Sequence, residues 1–358
     1  MAHFHTLTVK DIRNETDDCI SIAFDIPENL TKDFEYTHGQ YLTLKVKVNG
    51  EEVRRSYSIC SSPVSGEPLR IAVKQVDNGR ASTFLNKTLQ QGAKLEVMPP
   101  MGNFFTQLDS KNKKQYVGIA AGSGITPIMS ILKTVLHHEP ESTFTLFYGN
   151  REELSIIFRE ELVNIRDKYH GRFKIHHLLS RDENADKQNR GRLTGEKIKA
   201  LASEYLDAKI DSEFFMCGPE PMIVNVSEGL EEIGVPKAKI HVELFSAPVT
   251  SAEKNTVKAS AGTSGACMVT VIMDGEEIEF PLETSGESIL DAALENDVDV
   301  PFACKGAVCC TCKAKVIEGT VEMEMNFALS EEEVEEGFIL TCQAHPTSPK
   351  VVVDYDAM

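Results

Sequence analysis

Four cysteines near the C-terminus have the spacing of an iron–sulfur site. Cys304 and Cys309 are separated by four residues, Cys309 and Cys312 by two, and Cys342 follows after a further 29. Three thiolates on one tight loop can surround one side of a 2Fe–2S cluster, and a distant fourth can close it. Structural zinc sites usually combine two Cys-x2-Cys pairs, and this region has one, so the pattern favours iron–sulfur over a zinc-held interaction module.

Two glycine-containing turns could bind the phosphates of a dinucleotide. The first, Gly122-Ser123-Gly124-Ile125-Thr126-Pro127, follows an apolar run and opens a helical one, where backbone N–H groups can approach a pyrophosphate. The second, Cys217-Gly218-Pro219, follows another apolar run. A plain tight turn would explain either sequence alone, but two such turns at one edge of a parallel sheet predict a nucleotide site.

Two clusters in the first hundred residues suit a flavin. Arg55, Tyr57 and Ser58 lie in a β-prone run, where an aromatic ring can cover the flavin and a cation can meet its phosphate. Gly79-Arg80-Ala81-Ser82-Thr83 places a glycine and two hydroxyls at a predicted helix start, which is an anion-binding arrangement. A strand with an exposed arginine, and simple N-capping by Ser82, are the structural alternatives.

The segments around these residues predict a multidomain chain. Short β-prone runs in residues 1–107 predict a β-barrel, and alternating strands and helices in 108–245 predict an α/β domain with a doubly wound parallel sheet. Residues 246–265 have a linker composition of Ser, Ala, Thr and Gly. Residues 266–358 predict a small α+β, β-grasp-like domain whose first hairpin turns at Asp274-Gly275.

Helical segments are predicted from periodicity and from start and stop signals. Ser330 and Glu333 form a capping box, and Gly337 ends that last helix. The other predicted helices are Ser82–Leu89, Pro127–His137, Glu152–Lys168, Gly195–Leu206, Glu220–Ile233 and Glu287–Asn296.

Charge is concentrated in the last domain. Residues 266–358 contain 20 Asp and Glu but only 4 Lys and Arg, a net of −16, whereas the remaining 35 acids and 33 bases give −2. Such a field repels nucleic acid and anionic membranes and attracts a basic protein surface. No run of 18 apolar residues and no secretory signal are visible, and the odd number of cysteines, 9, fits a reducing cytoplasm.

Taken together, R-x-Y-S, G-x-x-S, G-S-G-I-T-P and C-G-P resemble the ferredoxin–NADP reductase family over about residues 5–245, and residues 266–358 resemble plant-type ferredoxins. The resemblance implies a flavin in the first domain, a pyridine nucleotide in the second and the cluster in the third. It also implies site residues. Those implied for the flavin are Arg55, Tyr57, Ser58, Gly79, Ser82 and Thr83; those for the nicotinamide nucleotide are Gly122, Gly124, Thr126, Cys217, Gly218 and Pro219.

The resemblance extends to the reaction centre and to cofactor choice. His241–Phe245 resembles the E-x-F ending of oxygenase reductases, so Glu243 and Phe245 join Tyr57, Ser58 and Cys217 as predicted catalytic residues, with Phe245 covering the ring. Ser180-Arg181 resembles the S-R pair of NADP-using members, and Arg151 and Arg190 are further cations, which favours NADPH over NADH.

Two further features refine the resemblance. Pro301–Cys312 resembles the reductase subunits of phenylacetyl-CoA epoxidases, which use FAD, although phthalate dioxygenase reductase has the same domain order and uses FMN. Ala307 occupies a position that ferredoxins usually give to glycine, which is expected to strain the loop that donates N–H groups to sulfur.

These features predict an NADPH-dependent oxidoreductase that passes electrons through FAD to a 2Fe–2S cluster. A hydride delivers two electrons at once and the cluster carries one, so a flavin is needed between them. The implied partner is an oxygenase component docked on the acidic ferredoxin domain, namely phenylacetyl-CoA epoxidase in phenylacetate degradation. A Rieske-type oxygenase, such as a steroid hydroxylase, fits the same domain order, and a flavin reductase fused to a zinc-held module is the alternative from another class.

Overall fold

The computed structural model describes residues 3–182, 189–246, 266–284 and 286–357. The chain divides into two compact units. One consists of Thr6–Val53 and Tyr57–Leu244, and the other of Phe245–Met358 with the short segments Met1–His5 and Arg54–Ser56. Apart from Ser246, the linker predicted at 246–265 lies outside the described residues.

The first part of the larger unit is a six-stranded antiparallel barrel, as predicted. Its strand order is β4-β3-β6-β1-β2-β5. A bridge between Ile59 and Ile71, and a hydrogen bond from the Cys60 N–H to the Arg70 carbonyl at 2.9 Å, join the two outer strands and close the barrel. The strands are β1 (His5–Thr16), β2 (Cys19–Asp25), β3 (Tyr41–Val48), β4 (Glu51–Ser58), β5 (Arg70–Lys74) and β6 (Lys94–Val97).

One helix, α1 (Arg80–Thr88), lies between β5 and β6. It begins two residues before the predicted start because Gly79, in an extended conformation, is the N-cap. The side chain of Ser82 is turned inward: its hydroxyl accepts a hydrogen bond from the Val76 N–H at 3.2 Å and donates to the Gly79 carbonyl at 3.4 Å. Ser82 therefore stabilises the turn that precedes the helix.

The second part of the larger unit is the predicted parallel sheet with helices on both faces. Its strand order is β11-β10-β7-β8-β9, and every pairing is parallel. The strands are β7 (Gln115–Ala121), β8 (Thr143–Asn150), β9 (Phe173–Leu179), β10 (Ser212–Cys217) and β11 (Ile240–Glu243). The helices are α2 (Ile125–His138), α3 (Arg159–Lys168), α4 (Gly195–Tyr205) and α5 (Glu220–Glu232).

The helix predicted over Glu152–Lys168 is wrong in its first half. A 3-10 turn occupies Glu153–Ser155, and α3 begins only at Arg159. Phe158 has a φ of 61°, a left-handed conformation that a helix interior excludes. Ile156, Ile157 and Phe158 are all buried, so packing of this apolar run overrides its helical periodicity.

Polar bonds fasten the barrel to α2. Ser130 Oγ donates to the Ser61 carbonyl at 2.6 Å, and Thr134 Oγ1 is 2.9 Å from Ser62 Oγ. Lys133 pairs with Glu67 at 3.1 Å on the same side. These bonds fix the barrel against the sheet within one unit, so residues from both can form a shared site.

The C-terminal unit contains a five-stranded mixed sheet of order β13-β12-β18-β14-β16 and a two-stranded β15-β17 ribbon. The predicted turn holds, since Asp274 and Gly275 both have positive φ and join β12 to β13. The strands are β12 (Ala266–Met273), β13 (Glu276–Glu283), β14 (Lys313–Glu318), β15 (Val321–Met323), β16 (Phe338–Leu340), β17 (Ala344–Pro346) and β18 (Lys350–Asp354).

Two short helices complete this unit. The first, α6 (Ile289–Glu295), is shorter than the predicted Glu287–Asn296 because Ser288 caps it, accepting from the Asp291 N–H. The second, α7 (Glu331–Glu335), has the predicted capping box between Ser330 and Glu333 and ends before Gly337 at a φ of 92°. Within the described ranges, no helix is both long and apolar enough to cross a membrane.

Candidate functional site

The four cysteines of the predicted cluster site converge in two pairs. Cys304 and Cys309 have their sulfurs 3.1 Å apart, and Cys312 hydrogen-bonds to Cys342. The hydrogen bond from Cys309 lowers the pKa of the Cys304 thiol to about 6. Two pairs of sulfurs suit the two irons of a 2Fe–2S cluster.

Donors to sulfur come from the loop backbone. The Gly306 N–H donates to Cys304 Sγ at 3.3 Å, and the Ala307 N–H hydrogen-bonds to the Cys342 thiol. Thr341 ties the distant cysteine to the loop, because both its N–H and its hydroxyl donate to the Cys312 carbonyl, at 3.2 and 3.0 Å. Such donors stabilise thiolates, so the residues present fit the cluster.

Ala307 adopts the conformation that a glycine would have at this position. Its φ is 61°, and it is fully buried. A left-handed conformation costs an L-residue roughly 1–2 kcal/mol, so the strain expected from the sequence is present. The Ala307 N–H still reaches sulfur, and its carbonyl accepts from the Phe327 N–H at 3.1 Å, so the loop keeps its donor despite the alanine.

The two predicted nucleotide turns lie side by side. In the β10–β7 register Cys217 is opposite Ala120, which places both turns at the carboxyl edge of the sheet. A Cβ on Gly124 would lie 2.0 Å from the Cys217 carbonyl oxygen, so only glycine allows this approach. Gly122 has a φ of 54° and open space around it, which leaves its backbone accessible to a ligand. Gly218 and Pro219 follow directly and lead into α5.

The Thr126 hydroxyl is used within the glycine turn, where it donates to the Ser123 carbonyl at 3.0 Å. The same turn is held from the other side by Tyr148, whose hydroxyl donates to the Gly122 carbonyl at 3.0 Å. Tyr148 was not predicted as a site residue, because in the sequence it has the pattern of an ordinary buried strand residue. Both hydroxyls hold the backbone of the glycine turn in place.

The predicted discriminators of NADP lie on adjoining loops after β8 and β9. The Ser180 N–H donates to the Asn150 carbonyl and the Arg181 N–H to the Arg151 carbonyl, each at 2.9 Å. Arg190 is bridged to Leu179 in the same region. The three arginines are exposed. Guanidinium groups at this corner suit a phosphate dianion.

The predicted catalytic residues Ser58 and Glu243 meet across the seam between barrel and sheet. Ser58 Oγ donates to Glu243 Oε2 at 3.1 Å. Burial raises the pKa of the Glu243 carboxyl to about 8, and the bond from Ser58 partly opposes this. Cys217 is opposite Glu243 in the β10–β11 register and is fully buried, which raises the pKa of its thiol far above the usual range.

The remaining predicted flavin residues lie on β4 and α1. Arg55 and Tyr57 are two residues apart on β4, so they share one face of that strand. Gly79 and Thr83 line a surface cavity of about 370 Å³ at the start of α1, together with Arg80, Lys87 and neighbouring residues. Arg80 is paired with Glu51 at 2.6 Å, so the backbone at the start of α1 and Lys87 in its last turn are the groups of this cavity that could meet the phosphates of FAD. Phe245, two residues beyond Glu243, is 45% exposed.

A charged cluster that was not predicted from the sequence fixes β11. The Glu213 carboxylate, only 7% exposed, accepts hydrogen bonds from Lys114, Lys239 and His241 at 2.9 to 3.1 Å. Burial alone would raise the pKa of Glu213, but these three donors outweigh it and hold the pKa at about 2. The His241 ring also stacks on Phe215 at 4.5 Å. Together they hold in place the strand that carries Glu243.

This combination defines a class of protein. A flavin-type barrel, a nucleotide-binding parallel sheet and a four-cysteine ferredoxin unit in one chain constitute an iron–sulfur flavoprotein reductase. Three known families match the three regions: the oxidoreductase FAD-binding domain at residues 6–106, the oxidoreductase NAD-binding domain at 119–228, and the 2Fe-2S iron-sulfur cluster binding domain at 265–347. The protein therefore uses FAD, a nicotinamide nucleotide and a 2Fe–2S cluster.

The chain belongs to the ferredoxin–NADP reductase family, among the reductase components of oxygenases that carry a C-terminal ferredoxin domain. It is 42% identical to one of the subunits of 1,2-phenylacetyl-CoA epoxidase of Escherichia coli K12, covering 100% of this chain and 99% of that protein. It is 35% identical to the ferredoxin reductase component of 3-ketosteroid-9-alpha-monooxygenase of Rhodococcus rhodochrous, with 98% and 96% covered. Phthalate dioxygenase reductase shares the fold, with a TM-score of 0.59 at 24% identity over 98% of both chains.

Proposed function

We propose that this reductase takes a hydride from NADPH and supplies single electrons to the oxygenase component of a phenylacetyl-CoA epoxidase. The observation that carries the proposal is the convergence of the four cysteines in two pairs, because a binuclear cluster makes the chain a one-electron carrier. FAD, when bound, accepts the two electrons of the hydride together and releases them one at a time. The residues of this chain hold the cofactors and move the accompanying proton.

Each domain contributes one binding site. We assign the flavin to the barrel within 1–107, held by Arg55, Tyr57 and the α1 turn, and the nucleotide to the sheet within 108–245, held by its two glycine turns. The four cysteines in 266–358 hold the cluster. Ser82 and Thr126 shape the turns that meet the phosphates, since their hydroxyls are bonded to the turn backbone.

The Ser58–Glu243 pair moves a proton. A hydride consists of a proton and two electrons. Because the cluster accepts only electrons, one proton must be released for each NADPH oxidised. Ser58 Oγ is hydrogen-bonded to Glu243 Oε2, and a carboxyl with a pKa of about 8 can accept and release a proton near neutral pH. Cys217 and Phe245 exchange no proton in this scheme.

NADPH is preferred over NADH because Arg151, Arg181 and Arg190 gather at the end of β8 and β9. A 2′-phosphate would meet guanidinium groups there, whereas a 2′-hydroxyl would not. The Arg181→Ala variant is expected to raise KM for NADPH roughly tenfold and leave KM for NADH within about twofold, measured by cytochrome c reduction. Equal losses with both nucleotides would contradict this assignment.

The acceptor docks on the ferredoxin domain, in this proposal, through charge. Residues 266–358 carry a net charge of −16, so a basic oxygenase surface would be attracted to them. Raising the ionic strength from about 0.1 M to about 1 M shortens the screening length from roughly 10 to 3 Å and should slow electron delivery to the oxygenase. NADPH oxidation with ferricyanide, which accepts electrons without docking there, is the control and should change little.

The experiment that tests the acceptor uses the purified holoprotein in extract of its native host. NADPH oxidation is followed with and without phenylacetyl-CoA. The proposal predicts that the thioester accelerates NADPH loss. Brisk cytochrome c reduction without any response to the thioester would contradict it.

A second acceptor class has a specific observation behind it, the 35% identity to a 3-ketosteroid-9-alpha-monooxygenase reductase component. In that case a 3-ketosteroid, and not phenylacetyl-CoA, would accelerate NADPH loss in the same extract.

We place the protein in the cytoplasm because its thiols, including the cluster ligands, need a reducing compartment.

A further inference from the structure

Gln343, directly after the fourth cluster cysteine, has its side-chain amide held against the site. It is only 6% exposed. Its Nε2 atom lies 2.8 Å from the Cys342 carbonyl, 3.5 Å from the Lys305 carbonyl and 3.7 Å from Cys342 Sγ. All three neighbours are acceptors, so the nitrogen, and not the oxygen, of the amide must occupy this position.

This placement leaves the other end of the amide unpaired. Gln343 Oε1 is buried and has no hydrogen-bond partner among the residues that the structure describes. A buried acceptor without a partner is unfavourable and rare in native proteins, and it calls for a compensating role of the same group. The other end of the same side chain faces a sulfur that would carry negative charge in the holoprotein.

We propose that Gln343 sets the reduction potential of the 2Fe–2S cluster by donating an N–H to Cys342 Sγ. Reduction adds one electron to the cluster and makes its sulfurs more negative. A donor that points at a ligand sulfur therefore stabilises the reduced form more than the oxidised form and raises the potential. Gln343 thus acts through a ligand as a positioning residue, in addition to the backbone donors of Gly306 and Ala307.

Backbone hydrogen bonds fix the position of Gln343. Its own N–H bonds to the Leu340 carbonyl at 2.9 Å, which fixes the turn containing Cys342. The bond from Nε2 to the Lys305 carbonyl joins this turn to the loop of the first three ligands. Because Nε2 carries two N–H groups, one donates to the Cys342 carbonyl at 2.8 Å, and the other is shared between the Lys305 carbonyl at 3.5 Å and Cys342 Sγ at 3.7 Å.

The test measures the midpoint potential of the cluster in the holoprotein of Gln343→Leu. The proposal rests on a cluster occupying the four-cysteine site, so the iron content and visible spectrum are measured first. Wild-type protein without iron would contradict the cluster assignment and not this inference. With iron retained, we expect at least a threefold lower ratio of reduced to oxidised cluster at a fixed ambient potential. At 59 mV per tenfold change for one electron, threefold corresponds to about −28 mV.

Gln115→Leu is the matched control, since Gln115 is also a buried glutamine but lies in the larger unit, where its side chain bonds to Ser212 and to the Asp207 N–H and not to sulfur. Its potential should stay at the wild-type value. An unchanged potential in Gln343→Leu, or equal shifts in both variants, would overturn the proposal.

A second measurement stands even if Gln343→Leu fails to load iron. Wild-type holoprotein labelled with ¹⁵N only in glutamine side chains should show a ¹⁵N hyperfine coupling to the reduced cluster by pulsed EPR. Absence of that coupling, with a normal reduced-cluster signal, would also overturn the proposal.

Discussion

The pH dependence of turnover tests the Ser58–Glu243 pair most sharply. The perturbations are Glu243→Gln, which keeps the shape of the side chain but cannot ionise, and Ser58→Ala, which removes the hydroxyl that donates to Glu243. Glu243 accepts a proton only when ionised, so wild-type turnover should rise with pH through the Glu243 pKa of about 8.

The expected magnitudes follow from that pKa. A positioned general base contributes roughly 10²–10⁴ in rate, and about nine tenths of the carboxyls are ionised at pH 9 but only about a tenth at pH 7. Glu243→Gln should therefore lose roughly a hundredfold at pH 9 and roughly tenfold at pH 7, and its profile should be flat.

Ser58→Ala should move the profile and not abolish it. The hydrogen bond from Ser58 lowers the pKa of Glu243, so removing the bond raises it. A hydrogen bond to a charged group contributes about 1.5–3 kcal/mol, and the O···O distance of 3.1 Å favours the lower value. At 1.36 kcal/mol per pKa unit, the midpoint should shift upward by about one unit.

The assay is steady-state cytochrome c reduction under saturating NADPH, over about two pH units on either side of 8. Single-turnover flavin reduction by NADPH, followed by absorbance over the same range, is the control. Transfer of the hydride itself balances without release of a proton, so its rate should not follow Glu243. A Glu243→Gln variant whose turnover rises with pH as in the wild type would show that Glu243 is not the group that accepts the proton.

Three further predictions concern stability and the cluster. Glu213→Gln should lower the thermal midpoint at pH 7 by an amount worth up to about 3 kcal/mol. The Glu213 pKa of about 2 lies below the usual 4.5, so its ionised form stabilises the fold above pH 4.5, and this stabilisation is lost as the pH falls through 2. Equal midpoints of the two proteins at pH 7 would contradict this. Ala307→Gly should change the stability of the ferredoxin unit by less than about 1 kcal/mol, measured by thermal unfolding. Glycine relieves roughly 1–2 kcal/mol of left-handed strain, but it loses about 0.8 kcal/mol of methyl burial and about 0.4–1 kcal/mol through the larger entropy of its unfolded chain. Ala307→Val should be clearly destabilising in the same assay. Cys342→Ser should abolish cytochrome c reduction and the cluster spectrum while retaining NADPH–ferricyanide activity, and cytochrome c reduction at the wild-type rate would show that electrons bypass the cluster.

The fold was predictable where it depends on local sequence patterns, such as hydrophobic periodicity, turn residues and helix caps. Strand and helix periodicity, the Asp274-Gly275 turn and the Ser330 capping box depend on neighbouring residues, and each is present in the structure. The helix predicted over Glu152–Lys168 was wrong in its first half, because burial of Ile156–Phe158 is a tertiary effect that periodicity cannot reveal.

Site residues that belong to a sequence motif were predictable, whereas those recognised only by their contacts in the fold were not. The four-cysteine spacing and the glycine turns indicated which residues belong together. Tyr148, Glu213 and Gln343 belong to no motif, and their roles depend on burial and on partners distant in sequence. A carboxylate beside a strand and a glutamine after a cysteine look like ordinary surface residues until the fold is known.

The central claim is that electrons of NADPH pass through the flavin to a cluster held by the four cysteines. Its most direct test is anaerobic addition of NADPH to the purified holoprotein containing two irons per chain, with flavin absorbance and cluster EPR recorded together. We expect the flavin to be reduced first and the EPR signal of the reduced cluster to follow. Full reduction of the flavin with no cluster signal, in protein of that iron content, would contradict it.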